Sequence, residues 1–513
     1  MHQSHTSPEC SSPLDIMVIG AGLGGLATAI SASLAGHRVT VFESAKELRE
    51  VGAGLQVTPN ATKILQRFGL PARLWESAAE PTALLVHRYS GQVLARDEGF
   101  NVKMRQKYEA PFLDLHRVDL QLSLLDRAKQ LGVHIRLGER VKSIDFDNSE
   151  VTCISGQKAR GDLIVAADGL WSKCRSLFMK SEHPPLPTGD LAYRIVLELD
   201  DITDPELVDW VQNPTVHFWI GPGAHAVGYS LKAGTMYNIV LLVPDDLPKE
   251  ASRQAGSVEE MIALFDGWDP ILKRFLQMVN GVEKWKLMHR KFNLHSMPEF
   301  RNPEQPIDEL PSWVNDRSNF VFVGDACHPM LPYLAQGANS AIEDGAVLGQ
   351  LLGHIKSRDQ LPQALEMYQE LRKARGEAIV QETFEQRKAF HMPDGPEQEA
   401  RDKIFLSQLG SELKGPFPSR WTCPTIQPWL FGYDASEEVE AAVRNHPFPV
   451  RREGWLLSRL APYLPCGLDE MYPKFPPRDG SPLPNFQSHL FMQKFPGLPD
   501  GMRREQFVIY GGA

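Results

Sequence analysis

The stretch Asp15-Ile-Met-Val-Ile-Gly-Ala-Gly-Leu-Gly-Gly-Leu-Ala-Thr-Ala-Ile30 decides how the rest of the chain is read. Its apolar run, Ile16 to Ile19, has the length of a buried parallel strand. Gly20, Gly22 and Gly25 follow in G-x-G-x-x-G spacing, and Leu26, Ile30 and Leu34 then recur every fourth residue on one helical face that Gly36 can end. A second strand, Arg38-Val-Thr-Val-Phe42, runs into Glu43. Gly20 permits the tight turn, Gly22 lets backbone N–H groups reach a pyrophosphate, and Gly25 lets helix and strand pack closely. The helix N-terminus attracts phosphate charge, and Glu43 can accept hydrogen bonds from a ribose. Strand, glycine turn, helix, second strand and acid in this order predict a dinucleotide site, with FAD or NAD left open.

Working outward, 513 residues suffice for two or three domains and a large core. Apolar and charged fractions of 42% and 23% are those of a soluble globular protein, and a net charge of -10 argues against a nucleic-acid partner. No run approaches the ~18 apolar residues of a membrane span, and Met1 to Pro13 lacks the layout of a signal peptide. A cytoplasmic location is expected. Six cysteines show no C-x-x-C pair, sixteen histidines show no ligand spacing, and no metal site is expected.

Down the chain, Gly52 and Gly54 bracket Ala53 and permit close backbone approach to a ligand. Residues 83–96 read as a hairpin with Ser90-Gly91 at its tip. Arg117 opens a helix, where it can hold a phosphate or pair on the surface. Asp162-Leu-Ile-Val-Ala-Ala-Asp168-Gly169 reads as a strand entering an Asp-Gly turn, followed by Ser172 and Arg175. Residues 190–243 have the texture of an antiparallel sheet without helical crossovers, 250–290 read as mostly helical, and 297–312 as a Pro-rich connection. Asn319-Phe-Val-Phe-Val-Gly324-Asp325 returns to a buried strand; a Pro-rich turn and Gly337-Ala-Asn339 lead into a helix from Ala341 to Gly353. A long amphipathic helix spans 361–390, and 391–513 shows many prolines, few periodic segments and no legible chemistry.

The glycine unit with Glu43, Asp168-Gly169-x-x-Ser172-x-x-Arg175, and Gly324-Asp325 with its Pro-x-x-x-Gln-Gly turn resemble, in this order, the group A flavoprotein aromatic hydroxylases. The likeness spans roughly residues 14–390 and is nearest the salicylate-hydroxylase-like fungal branch, which His391-Met-Pro-Asp-Gly-Pro-Glu397 and Trp429-Leu-Phe-Gly-Tyr-Asp434 also resemble. It implies an α/β fold: a Rossmann-like FAD-binding domain of the p-hydroxybenzoate hydroxylase type, an inserted antiparallel β-sheet substrate domain, and a C-terminal helical segment and tail. The implied division is 14–80 plus 112–188 plus 311–355 for FAD, 81–111 plus 189–310 for substrate, 356–440 helical, and 441–513 a Pro-rich tail.

The resemblance further implies that Glu43 binds the adenosine ribose and that Ala53 and Gly54 approach the cofactor through backbone atoms. Arg117 would reach the flavin or its pyrophosphate, Asp168 and Gly169 both FAD and NAD(P)H pyrophosphates, and Asp325 the ribityl region. Gly337, Ala338 and Asn339 would lie beside the isoalloxazine. Ala335 stands where many relatives carry glycine. Arg194 and Tyr229 fall where fungal phenol hydroxylases place an Arg and a Tyr over the substrate, where they would stabilise and position a phenolate; as bare residues they read equally as structural sheet positions. His217 and His225 read as satisfied sheet histidines, and Phe218 and Trp219 as packing.

The implied activity is NAD(P)H- and O₂-dependent hydroxylation of an electron-rich aromatic small molecule through a flavin C4a-hydroperoxide, with decarboxylation or dearomatisation as variants, in secondary metabolism or aromatic catabolism. NAD(P)H would visit transiently, since no second complete G-x-G-x-x-G occurs. A monomer or homodimer is expected. The alternatives are an FAD-dependent epoxidase or oxidase of a polycyclic natural product and a non-catalytic escort-type protein. No W-x-W-x-I-P segment supports a halogenase.

Overall fold

The quoted stretch folds as strand β1 (Asp15–Ile19) and helix α1 (Leu23–Leu34), and β2 (Arg38–Glu43) returns parallel beside β1. The computed structural model describes residues 12–48, 53–290, 310–411, 413–415 and 417–449. Gly52, the Pro-rich connection read at 297–312 as far as residue 309, residues 1–11 and the tail from 450 lie outside the described residues. Beyond β2 come β3 (Gly54–Val57), α2 (Pro59–Phe68) and α3 (Ala72–Glu76). The hairpin β4 (Ala83–Arg88) and β5 (Val93–Glu98) leads to α4 (Phe100–Tyr108), β6 (Leu113–His116), α5 (Arg117–Gln130) and β7 (His134–Leu137). A small meander, β8 (Val141–Asp145), β9 (Glu150–Cys153) and β10 (Lys158–Arg160), precedes β11 (Leu163–Ala166) and α6 (Lys173–Met179).

The second half runs β12 (Leu186–Glu198), α7 (Pro205–Gln212), β13 (Thr215–Gly221), β14 (Ala224–Leu231) and β15 (Met236–Pro244). Then come β16 (Arg253–Gly256), α8 (Val258–Leu264), α9 (Pro270–Leu276), β17 (Val282–His289) and β18 (Phe320–Phe322). Five helices close the described chain: α10 (Gln336–Gly353), α11 (Leu361–Phe390), α12 (Pro396–Ser407), α13 (Ile426–Phe431) and α14 (Ala435–Asn445). No described helix is long and apolar enough to cross a membrane.

Two sheets organise these elements. The first is parallel, in the order β18-β11-β1-β2-β7, and its strands β1, β11 and β18 are apolar and almost wholly buried. The carboxyl ends of β1, β2, β11 and β18 therefore lie side by side, and they carry Gly20, Glu43, Asp168 and Gly324-Asp325. In a doubly wound sheet this edge is where ligands bind. The second sheet has eight strands in the order β16-β17-β12-β15-β14-β13-β4-β5, and the early hairpin β4–β5 joins it.

The texture of 190–243 does not carry over intact. Helix α7 interrupts it, started by Asp204, whose side chain accepts the Glu206 N–H ahead of Pro205 at the first turn. β13 then pairs parallel with β4 of the early hairpin 83–98. Residues 250–290 also depart from the helical expectation: two short helices sit between strands β16 and β17. In β17 the core-facing positions include Lys284 and Lys286, whose stems bury while their ammonium groups reach Asp246, Glu260 and the Pro248 carbonyl. Lysines on the inward face disguise a period-two pattern.

Helix α10 starts at Gln336 rather than Ala341, so residues 337–339 form its first turn. Ala335 before it is left-handed (φ 49°), the conformation that favours glycine. Helix α10 lies directly on α1, and small residues set the distance. A Cβ on Gly345 would stand 2.5 Å from the Thr28 nitrogen, one on Gly353 3.1 Å from the Ala35 Cβ, and one on Gly349 would strike Ser31.

Within α10, Glu343 and Asp344 are fully buried. Asp344 accepts from the Gly324 N–H (2.9 Å) and Arg372 Nε (2.7 Å), and stands 2.5 Å from His328 Nε2. Glu343 binds Arg375 (3.0 Å) and Asn60 (2.6 Å). His328 and Arg372 hold the Asp344 carboxyl down at a pKa of about 2 against the desolvation that would raise it. Cys327, His328 and Asp344 converge as metal ligands do, but the Arg372 guanidinium on Asp344 takes the place of a cation. The four described cysteines are buried free thiols.

Two outcomes follow. Gly345→Val should destabilise the protein by about 2–3 kcal/mol through the α1–α10 contact, and an unchanged melting temperature would contradict that seam. Asp344, ordinarily ionising near 3.8, has a depressed folded-state pKa, so its stabilisation is present above about pH 4 and is lost as pH falls towards 2. Denaturant titrations should show Asp344→Asn weaker at neutral pH and flatter by about 2 kcal/mol across that window.

Candidate active site

The carboxyl ends of the parallel sheet and the inner face of the eight-stranded sheet enclose one cavity of about 680 Å³, within the usual range of small-molecule sites. At its nucleotide end stand Gly20, Gly22, Glu43 and Asp168, with Arg117 and Asp325 beyond them. Gly20 has φ 106°, which only glycine adopts without strain. The Glu43 carboxylate accepts the Ala21 N–H (2.7 Å) and the Ala45 N–H (2.8 Å), tying the glycine turn to β2 while still bordering the cavity. Asp168 accepts from the Ser172 hydroxyl (2.6 Å) and the Cys174 N–H (2.9 Å), fixing the start of α6. Arg175, from the same motif, is buried and donates to the Ala326 carbonyl, joining the Asp-Gly turn to the Gly-Asp turn.

Asp325 is exposed on the wall of the cavity, between buried neighbours. Desolvation raises its pKa, opposed by the charges of His328 and Arg117. Arg117 borders the same space, its N–H donated to the Ala53 carbonyl (3.0 Å). Two helices, α1 and α10, begin at this wall, and the first N–H groups of a helix are free for an anion. Gly22 faces open space, with nothing within 4 Å of an added Cβ, and a Cβ on Gly337 would meet only Met330, at 3.9 Å. Backbone left bare beside a cavity, at two helix N-termini, fits a flat, pyrophosphate-bearing FAD.

The far end is a chamber under the large sheet. Arg194 on β12 and Tyr229 on β14 both border it, with Phe218, His225, Tyr333 and Trp421. The Arg194 guanidinium lies 5.1 Å from the centre of the Trp285 ring, which Arg253 stacks on at 4.2 Å. Burial raises the Tyr229 hydroxyl's pKa, helped by Asp114, while Arg194 acts the other way. Gly54 borders the cavity; its N–H goes to Asn238 Oδ1 (2.8 Å), and an added Cβ would stand 2.6 Å from the Tyr229 ring. Ala53, Gly337 and Ala338 border the cavity as well.

Two of the expected residues do not. Gly25 sits behind the turn, where a Cβ would run into the Gly20 carbonyl, consistent with its packing role. Asn339 is fully buried and braces the wall, accepting the Thr58 N–H (3.1 Å) and donating to the carbonyls of Gln56 (3.1 Å) and Ala335 (2.5 Å). His217 bonds His87 (3.0 Å) away from the cavity, whereas His225 reaches it. Trp285, Trp421 and Arg140 were not anticipated. Trp421 comes from the segment that showed no legible chemistry, so part of that segment builds the chamber.

Comparison with known proteins agrees with this layout. Residues 13–262 and 313–383 match the family model described as FAD binding domain. The chain is 50% identical over 438 residues to the FAD-dependent monooxygenase OpS4 of Beauveria bassiana (strain ARSEF 2860), covering 84% of this chain and 98% of that protein. It is 31% identical to the 3-hydroxybenzoate 6-hydroxylase of Polaromonas naphthalenivorans (strain CJ2), covering 82% and 96%. A salicylate hydroxylase substrate complex superposes with a TM-score of 0.66 at 21% identity, covering 86% of this chain and 99% of that one, a likeness of fold.

Asp325→Ala is expected to purify with little or no flavin, and stoichiometric yellow protein, read by absorbance after desalting, would remove Asp325 from the cofactor site.

Proposed function

The chain belongs to the FAD-binding-domain family of aromatic-hydroxylase flavoprotein monooxygenases, and from that premise we propose that it hydroxylates a phenolic or otherwise electron-rich aromatic small molecule at the expense of NAD(P)H and O₂. The observation that carries this reading is the single cavity in which a nucleotide-shaped cleft runs into an aromatic-walled chamber bearing Arg194. Bound FAD supplies hydride acceptance and oxygen activation. The protein's own groups do the rest. Glu43, Gly22, Arg117 and Asp325 hold the nucleotide and its charges at the sheet edge, and Gly337 and Ala338 leave a flat backbone wall next to the chamber.

Arg194 is the group that makes the ring reactive. A phenolate donates electrons to its ortho and para carbons far better than a phenol, and a guanidinium beside the oxygen favours ionisation. Trp285 lies 5.1 Å from that guanidinium, a contact made in the absence of substrate. Tyr229 stays protonated through burial and can donate to the same oxygen. Phe218 and Trp421 exclude water and orient the ring. The residue types support ring hydroxylation with or without loss of a carboxyl group. Epoxidation of a polycyclic product is the second reading, and the size of the cavity leaves room for it.

Arg194→Ala should retain FAD but lower substrate-stimulated turnover by about a hundredfold. The assay is NAD(P)H oxidation against a panel of phenols, salicylates and indoles, with the products identified by mass spectrometry. Unchanged coupled turnover would return Arg194 to a structural role.

A further inference from the structure

We propose that Trp285 is the positioning residue for Arg194: its indole face orders the guanidinium beside the chamber, and that contact sets how strongly the site prefers a phenolate over the neutral phenol. This rests on the aromatic-hydroxylase reading, in which Arg194 meets the substrate oxygen.

Strand register brings the two side chains together. β17 lies between β16 and β12, and the pairing sets Trp285 opposite Ala192 on β12 and opposite Arg253 on β16. Arg194 follows Ala192 by two residues and so shares its face. Three neighbouring strands thus carry the row Arg194, Trp285, Arg253, with the ring in the middle. The Arg194 guanidinium lies 5.1 Å from the ring centre and that of Arg253 4.2 Å, both within reach of a cation–π contact. Arg194 and the half-buried Trp285 border the cavity. Arg253 stands on the edge strand and donates to Glu283, two residues before Trp285 on β17. Its charge is thereby paired, and its stem and guanidinium pack the indole from the edge.

Arg194 needs such a partner because of where it stands. Its side chain is exposed to the cavity, and its neighbours on that face are apolar: Ala192 and Val196 along β12, and Val240 opposite on β15. A long side chain in open space samples many rotamers, and ordering it only when substrate arrives weakens binding. A ring face orders it beforehand. A carboxylate in the same place would neutralise the guanidinium and occupy its N–H groups. The indole attracts the cation through its quadrupole and takes none of its charge.

The consequence depends on the charge of the ligand. An ordered guanidinium stabilises an anionic oxygen and does nothing comparable for a neutral hydroxyl. The ratio of the two affinities is therefore the shift in ionisation of the bound phenol. Loosening Arg194 must weaken the anion and spare the neutral form.

The test reads that ratio. Oxidised, FAD-loaded protein at about pH 8 is titrated with phenol, neutral at that pH, and with a polyfluorinated phenol, ionised there, following the flavin difference spectrum. Trp285→Met and Trp285→Leu remove the ring, and Trp285→Phe keeps one. Either ringless variant should weaken the ionised probe by about fivefold to tenfold and the neutral probe by less than about twofold, and Trp285→Phe should hold the ionised probe within about threefold of the parent. In an Arg194→Ala background the ringless change should move the ionised probe by less than about twofold, since the contact it acts through is gone. Equal weakening of both probes marks Trp285 as packing and overturns the proposal. An unchanged ionised probe, a Phe variant as weak as the Met variant, or additive losses in the double variant overturn it too. A parent that binds neither probe, or an Arg194→Ala protein that binds the ionised probe as tightly as the parent, instead refutes the reading of the chamber beneath it, and the proposal falls with that reading.

Discussion

The two adjacent acids on α10, fully buried and neutralised from several directions, are the constraint on which the site depends. Asp344 binds the Gly324 N–H at the end of β18, His328 in the following turn and Arg372 on α11. Glu343 binds Arg375 on α11 and Asn60 at the start of α2. Desolvated charges of this kind are worth little unless every partner is in place, and removing one leaves the others buried and unpaired. The network therefore fixes one arrangement of four separate segments. That arrangement presents Asp325 and the first turn of α10 to the cavity.

A second constraint acts on the other side of α10. Gly345, Gly349 and Gly353, one turn apart, let it lie against Thr28, Ser31 and Ala35 of α1. The helix that starts at the glycine turn and the helix that starts at the Gln-Gly turn are thus locked together by contact, and their N-termini open on the same cleft. Arg175 adds a third tie between the Asp-Gly and Gly-Asp turns. The three motifs recognisable along the chain are mechanically one object.

How far this was legible can be argued from particular residues. Gly20, Gly22, Glu43, Asp168 and Asp325 were identified because each follows a short apolar run, and a parallel strand announces its carboxyl end within a few residues. The glycine seam of α10 was also in the sequence, at i, i+4 and i+8, but small residues on a helix carry no message until the facing helix is known. β17 was missed because lysines occupy its inward positions. Asn339 was placed beside the ring system through its motif, and its amide instead holds the backbone behind it.

The chamber shows the same limit. Arg194 and Tyr229 were anticipated from resemblance alone, since an arginine and a tyrosine on sheet strands have no spacing that marks them as a pair. Trp285 and Trp421 come from elements far apart in the chain. Their convergence depends on strand register and on where α11 ends.

By itself the sequence determined the dinucleotide cleft, because that signal is local: strand, turn, helix start and acid lie within about thirty residues of one another; the chemical class came only from the resemblance carried by three separated motifs in order. The tertiary structure alone decided which side chains border the chamber, which of two sheet histidines is among them, and that the segment after α11 builds a wall of it. Those are long-range facts, set by the packing of two sheets and one buried ionic network, and no local periodicity encodes them.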